Sequence, residues 1–180
     1  LLSNYLLLAD AIKMAIEDFG GKVNGKKIIL ISADHQNKAD IAATKAREWF
    51  DRQGLDLLIG GTNSSTNLAM AKVAHEKKKP FIAIGAATSR LTNEECTPYT
   101  IHYAYDTVAL SRGTSGALVS QGDKNWFFLT ADYVFGISLE KDATSVINSN
   151  GGKVVGSVRH PLATSDFSSF LLQALSSKAQ

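Results

Sequence analysis

Two short runs of small and hydroxylated residues have the types and spacing to hold an anion. The run Gly61, Thr62, Asn63, Ser64, Ser65 follows the apolar stretch 56–60 and leads into a segment of helical period. A helix leaves its first backbone N–H groups unpaired and carries partial positive charge at that end, so amides and hydroxyls there favour a negative group. The alternative is plain N-capping by Asn63 or Ser64, which needs no ligand. The run Gly85, Ala86, Ala87, Thr88 follows the stretch 81–84 and repeats the design: small side chains expose the backbone, and Thr88 adds a hydroxyl. Ordinary turns also use small residues. Two such runs after consecutive apolar stretches point to one shared site more than either does alone.

Aromatic residues stand where a cleft would need walls, Tyr103 and Tyr105 near the middle of the chain and Tyr133 with Phe135 after WFFLTAD. Tyrosine offers a wide apolar face and a hydroxyl for a polar ligand group. Phe135 is assigned to the core, because Ile137 and Leu139 continue an apolar pattern from it, and Tyr133 is the ligand-facing candidate. Catalytic patterns are missing: there is no G-x-S-x-G elbow, Walker loop, G-x-G-x-x-G, H-E-x-x-H or C-x-x-C. His35, His75, His102 and His160 are dispersed, without metal-ligand spacing. Asp34 and His35 form an adjacent acid and imidazole pair, but neighbours on an extended segment point apart. The expectation is a protein that binds without catalysis, metal or cofactor.

The elements that must position these residues alternate between short apolar runs and longer stretches of helical period, the signature of βαβ units. Strands are predicted at 27–33, 56–60, 81–84, 126–130 and 153–159, with a short one at 100–103. Helices are predicted at 5–19, 39–52, 65–77, 107–121, 135–150 and 167–178. Gly20 with Gly21, Gly54, Gly122, and Gly151 with Gly152 follow four of those helices, where a left-handed cap favours a residue without Cβ. KIILISA and WFFLT are almost continuously apolar and suit parallel strands. The fold class is therefore α/β with doubly wound parallel sheets, whose ligands lie beyond the carboxyl ends of the strands. The polar stretch 85–98 interrupts the alternation, which restarts after TIHYAYDT, so two lobes are expected with a boundary near Tyr105 and Asp106.

Bulk properties exclude several classes. With 180 residues and 44% hydrophobic side chains the chain can bury one ordinary core or two small ones. A net charge of +2, from 19 basic and 17 acidic residues, gives no field for a nucleic-acid groove. The basic run from Lys77 to Lys79 before Pro80 reads as a solvated helix end. No apolar run approaches the ~20 residues needed to span a bilayer. The leucine-rich start lacks a basic n-region and is not read as a signal peptide. The single cysteine, Cys96, excludes an internal disulfide and shows no sign of thiol activation.

The ordered succession MAIEDFGG, ISADHQNKADIAATKAREWFD, IGGTNSSTNLAMAKVAHEKKKPFIAIGAATSRLT, TIHYAYDT, WFFLTADYVFG and GGKVVGSVRHPLATSDFSSFLLQA resembles the type I periplasmic binding proteins, in the branch serving ABC importers of branched-chain amino acids and aromatic acids. The resemblance runs from Ala11 through nearly the whole chain. It implies two Rossmann-like lobes, incomplete here: residues 1–105 as an N-terminal lobe lacking the family's first strand and DxSG-like loop, and 106–180 as part of a C-terminal lobe. It further implies an exported, periplasmic receptor for a small carboxylate ligand, partnered by a membrane permease, with any signal peptide outside this chain and with neither membrane insertion nor nucleic acid. By resemblance the loops of Asn63 and Ser64 and of Ala86, Ala87 and Thr88 hold the ligand's carboxylate or amino group. Tyr133 supplies an aromatic wall, with Phe135 as its alternative in register, and Tyr105 with Asp106 marks the first crossing between lobes. The tyrosines favour aromatic or other hydrophobic carboxylates over small polar amino acids. A ligand-sensing domain of a signalling receptor or regulator is the alternative function, and a Rossmann-type enzyme is opposed by the missing glycine fingerprint.

Overall fold

Every helix expected from apolar periodicity forms in the computed structural model, which describes residues 2–179. In chain order the elements are α1 (Leu2–Asp18), β1 (Lys22–Val23), β2 (Lys26–Lys27), α2 (Ala39–Arg52), β3 (Leu58–Gly60), α3 (Ser64–Lys77), β4 (Phe81–Ala83) and a 3₁₀ turn (Ser89–Leu91). There follow β5 (Thr100–His102), α4 (Thr107–Gln121), β6 (Asn125–Ala131), α5 (Val134–Ser149), β7 (Lys153–His160) and α6 (Ser168–Ser176). The helix ends are set by their residues. Asp106 caps α4 by accepting the Ala109 N–H at 2.7 Å, and Gly122 closes it at φ 117°, a left-handed conformation that favours glycine.

The strands form a parallel sheet of order β3-β4-β5 and a second parallel pair, β6 with β7. Each sheet has its own core. Phe81 of β4, Leu58 of β3, the α3 residues Leu68, Met70 and Val73, and Ala42 and Ala46 of α2 make the first. Val119, Ala143 and Ile147, with Trp126, Phe128 and Val154 against them, make the second. Val134, at the start of α5, packs against the first cluster, while Ala143 and Ile147 of the same helix belong to the second.

The structure departs from sequence expectation in one apolar run. Residues 28–33 are partly buried except at Ser32 and at Ile29, which is 76% exposed, and they join no sheet among the described residues. A strand exists through its hydrogen-bonded neighbour. Here β3 pairs with β4, and a cavity separates β3 from this run. A short antiparallel hairpin, β1 with β2, replaces the start of the expected strand and turns at Asn24 and Gly25, both at positive φ. Asn-Gly is the pair that such a two-residue turn favours.

Gly60 shows how tightly β3 meets α3. A Cβ there would overlap the Asn67 side-chain oxygen and stand 2.8 Å from Phe81 Cζ. Asn67 cannot turn away, because its Nδ2 donates to the carbonyls of Asn63 at 2.8 Å and Gly61 at 3.1 Å, which leaves its buried Oδ1 over Gly60 without a partner. Gly60→Ala is therefore expected to cost about 1–2 kcal/mol, read from urea denaturation of the full-length protein. Unchanged stability would show that the Asn67 amide can move.

Candidate functional site

Because β3 and β4 are parallel neighbours, the loops that follow them emerge at one edge. Asn63 has extended backbone, its side-chain oxygen accepts the Thr66 N–H at 3.0 Å, and its carbonyl accepts the Thr66 hydroxyl at 2.9 Å. Asn63 is thus the N-cap of α3, and Ser64 opens the helix behind it. The Ser64 hydroxyl is fully buried and accepts the Thr88 N–H at 3.3 Å, which ties the two loops side by side. Ala86 and Ala87 are buried too: the Ala86 carbonyl accepts from His102 Nε2 at 2.6 Å, and the Ala87 carbonyl accepts the Thr107 N–H at 2.8 Å. The Thr88 hydroxyl shares a hydrogen bond with Ser138 of α5 at 2.8 Å.

A cavity of about 880 Å³ opens beside these loops, within the range typical of small-molecule sites. At its polar end lie Asp34, His35, Asn63, Gly85 and Tyr133, with Leu162 beyond. The loops after β3, β4, β6 and β7 all reach it, so the carboxyl edges of both sheets face one space. Its apolar end runs between residues 29–33 and 57–59, against Leu8, Ala9 and Ile12 of α1, Trp49 of α2 and Met70 of α3. Of the residues singled out from sequence, Gly61, Thr62, Asn63, Gly85 and Tyr133 line this space. Ser64, Ala86, Ala87 and Thr88 lie behind it, and Tyr105 is 62% exposed and outside it. Phe135 sets its ring at a tilt beside Tyr133, 6.0 Å between centroids, rather than replacing it.

Tyr133 stands at the N-terminal end of α5, its N–H on the Ala131 carbonyl at 2.8 Å. Burial pushes its phenol above the ordinary value, so the hydroxyl keeps its proton and can donate. Sequence reasoning placed Gly85 in the second candidate run but did not assign His35 or Leu162 to a site. Their only signal was position after an apolar run at the carboxyl edge. Among the described residues no group of three or more His, Cys, Asp or Glu side chains could hold a metal ion.

The periplasmic binding protein family model matches residues 6–180. The chain belongs to that family. This periplasmic binding protein is 70% identical to a crystallographically solved periplasmic binding protein from Burkholderia mallei, with a TM-score of 0.93 over 95% of this chain and 46% of the other. It is 29% identical to an ABC transporter solute binding protein from Rhodopseudomonas palustris BisB5, solved in complex with 3,4-dihydroxybenzoic acid, with a TM-score of 0.82 over 94% of this chain and 46% of that one. It is also 27% identical over 165 residues to Leu/Ile/Val-binding protein homolog 6 of Brucella abortus, covering 91% of this chain and 42% of that relative. The chain thus spans somewhat less than half the length of these relatives. They are binding proteins by description, not enzymes, and the fold is that of type I periplasmic binding proteins, α/β with parallel sheets. Among the described residues no helix is long and apolar enough to cross a membrane.

Proposed function

We propose that the protein is a periplasmic receptor that traps a small carboxylate, an aromatic acid or a branched-chain amino acid, and presents it to the permease of an ABC importer. The observation that carries this reading is the convergence of the carboxyl edges of both sheets on one cavity, with polar loops from the first sheet and Tyr133 from the second. The relatives supply the ligand classes: one is solved with 3,4-dihydroxybenzoic acid and another is described as Leu/Ile/Val-binding. In this reading the two sheets are the centres of two lobes that meet near Tyr105 and Asp106. Asn63 then stands in the polar wall, backed by Ser64 and the group Ala86, Ala87 and Thr88, and the ligand is held as the lobes close. In this reading one further strand between residues 28–33 and β3, both of which line the cavity, would leave the polar end to the ligand.

A ligand that binds only the native state raises its melting temperature. Full-length protein with benzoate, 3,4-dihydroxybenzoate or leucine is expected to melt higher in at least one case, and the ligand should be recovered unchanged. No shift with any of them, or turnover of one, would sink the reading. Tyr133→Ala should remove an apolar contact made only on closure and speed dissociation by about tenfold, while Tyr133→Phe should be milder. Stopped-flow rates equal to wild type for Tyr133→Ala would assign Tyr133 to the scaffold.

A further inference from the structure

One titratable side chain in the cavity wall, His35, is held in a single tautomer by its own loop. Gln36 and Asn37 take φ of 53° and 58°, a conformation that residues with a Cβ seldom adopt. It brings the Gln36 N–H to Asp34 Oδ1 at 2.7 Å and the Asn37 N–H to His35 Nδ1 at 3.1 Å. A nitrogen that accepts an N–H carries a bare lone pair, so the ring proton of the neutral imidazole is on Nε2. Burial pulls His35 below its ordinary pKa, against the opposing charge of Asp34, which keeps the ring neutral near pH 7.

Among the described residues the Nε2–H group has one long contact, with Thr66 Oγ1 at 3.5 Å, at the outer limit of hydrogen bonding. Thr66 spends its own proton on the Asn63 carbonyl at 2.9 Å. His35, Asn63 and Tyr133 line the same cavity, and His35 faces the first turn of α3. A neutral N–H beside a helix N-terminus can serve an oxygen anion but offers nothing to an ammonium group. We propose that His35 Nε2–H is a ligand-contacting donor of this site, taking one carboxylate oxygen beside Asn63 in place of its long contact with Thr66. The assignment rests on the receptor reading above and adds to it the group that orients the carboxylate end.

The test uses full-length protein labelled with ¹⁵N-histidine, titrated with benzoate, 3,4-dihydroxybenzoate and leucine by calorimetry and NMR. The Nε2 resonance of His35, identified by its loss in His35→Gln, is expected to move when a probe binds. His35→Ala should weaken binding by about tenfold or more, and His35→Gln, whose amide can still donate, should recover part of it. A merely structural His35 would lower the melting temperature of the variant and leave the Nε2 resonance of the wild type unmoved on binding. Binding with an unmoved resonance and wild-type affinity in His35→Ala overturns the assignment while the receptor reading stands. Failure of all three probes to bind wild-type protein overturns the receptor reading, and the assignment with it. If His35→Ala does not fold, the wild-type resonance alone decides.

Discussion

Asp142→Ala is expected to destabilise the protein by about 2–4 kcal/mol, because it strands buried hydroxyls rather than merely trimming a side chain. Asp142 lies on α5, and its Oδ2 accepts from the Ser89 hydroxyl at 2.9 Å and the Thr107 hydroxyl at 2.6 Å. Thr107 Oγ1 in turn accepts the Ser89 N–H at 3.1 Å, which closes a three-residue ring. Ser89 and Thr107 are buried, so without the carboxylate their donors have no water to turn to. The ring binds the loop after β4, the start of α4 and the body of α5 to one another. Thr88 with Ser138 adds a second tie along the same seam.

Asp142→Asn keeps one side-chain oxygen able to accept both hydroxyls and should retain most of the stability, the remaining loss reflecting weaker bonds to a neutral acceptor. Urea denaturation of the full-length protein measures both variants. A change within about 0.5 kcal/mol for Asp142→Ala would place the seam in contact with solvent. In the two-lobe reading proposed above, this seam forms as the lobes close. Asp142→Ala should then also lower ligand affinity, and the two losses would arise from one set of bonds.

The ring was invisible in the sequence for a physical reason: Ser89 and Asp142 are 53 positions apart, and nothing local marks either one. What could be read was local. Apolar period gave the helices, and the N-cap alternative for Asn63 was legible because the helix read over 65–77 begins just after it, one residue later than the observed Ser64 start. The pairing of the two polar loops followed from consecutive strands in one parallel sheet. The run 28–33 was read as a strand from its composition, but ladder membership depends on a neighbour that composition does not report. Asn24 and Gly25 did carry a hairpin signal, and the apolar run just after them obscured it. Tyr133 could be singled out by residue type and position, whereas Leu162 shares the cavity only through the pairing of β7 with β6.

Gly136→Ala is expected to cost about 3 kcal/mol or more, and to disturb the cavity as well as the fold, because the obstacle is backbone. Gly136 lies in the first turn of α5, where a Cβ would overlap the carbonyl oxygen of Ala131 and stand 3.2 Å from Thr130 Cγ2. That carbonyl cannot swing aside cheaply, since it already accepts the Tyr133 N–H at 2.8 Å. Relief requires α5 to lift from the end of β6, and the lift would carry Tyr133 away from the cavity it lines. Gly113 is the control, because it lies inside α4, is exposed, and a Cβ there would meet nothing within 4 Å. Gly113→Ala should stabilise the protein by about 0.5–1 kcal/mol, as alanine restricts the unfolded chain and glycine does not. The same substitution thus takes opposite signs in two helices, according to what faces the added methyl. Denaturation midpoints on the full-length protein decide the matter: equal small stabilisation at both positions would mean that α5 does not rest on the Ala131 carbonyl, and the placement of Tyr133 would have to be explained another way.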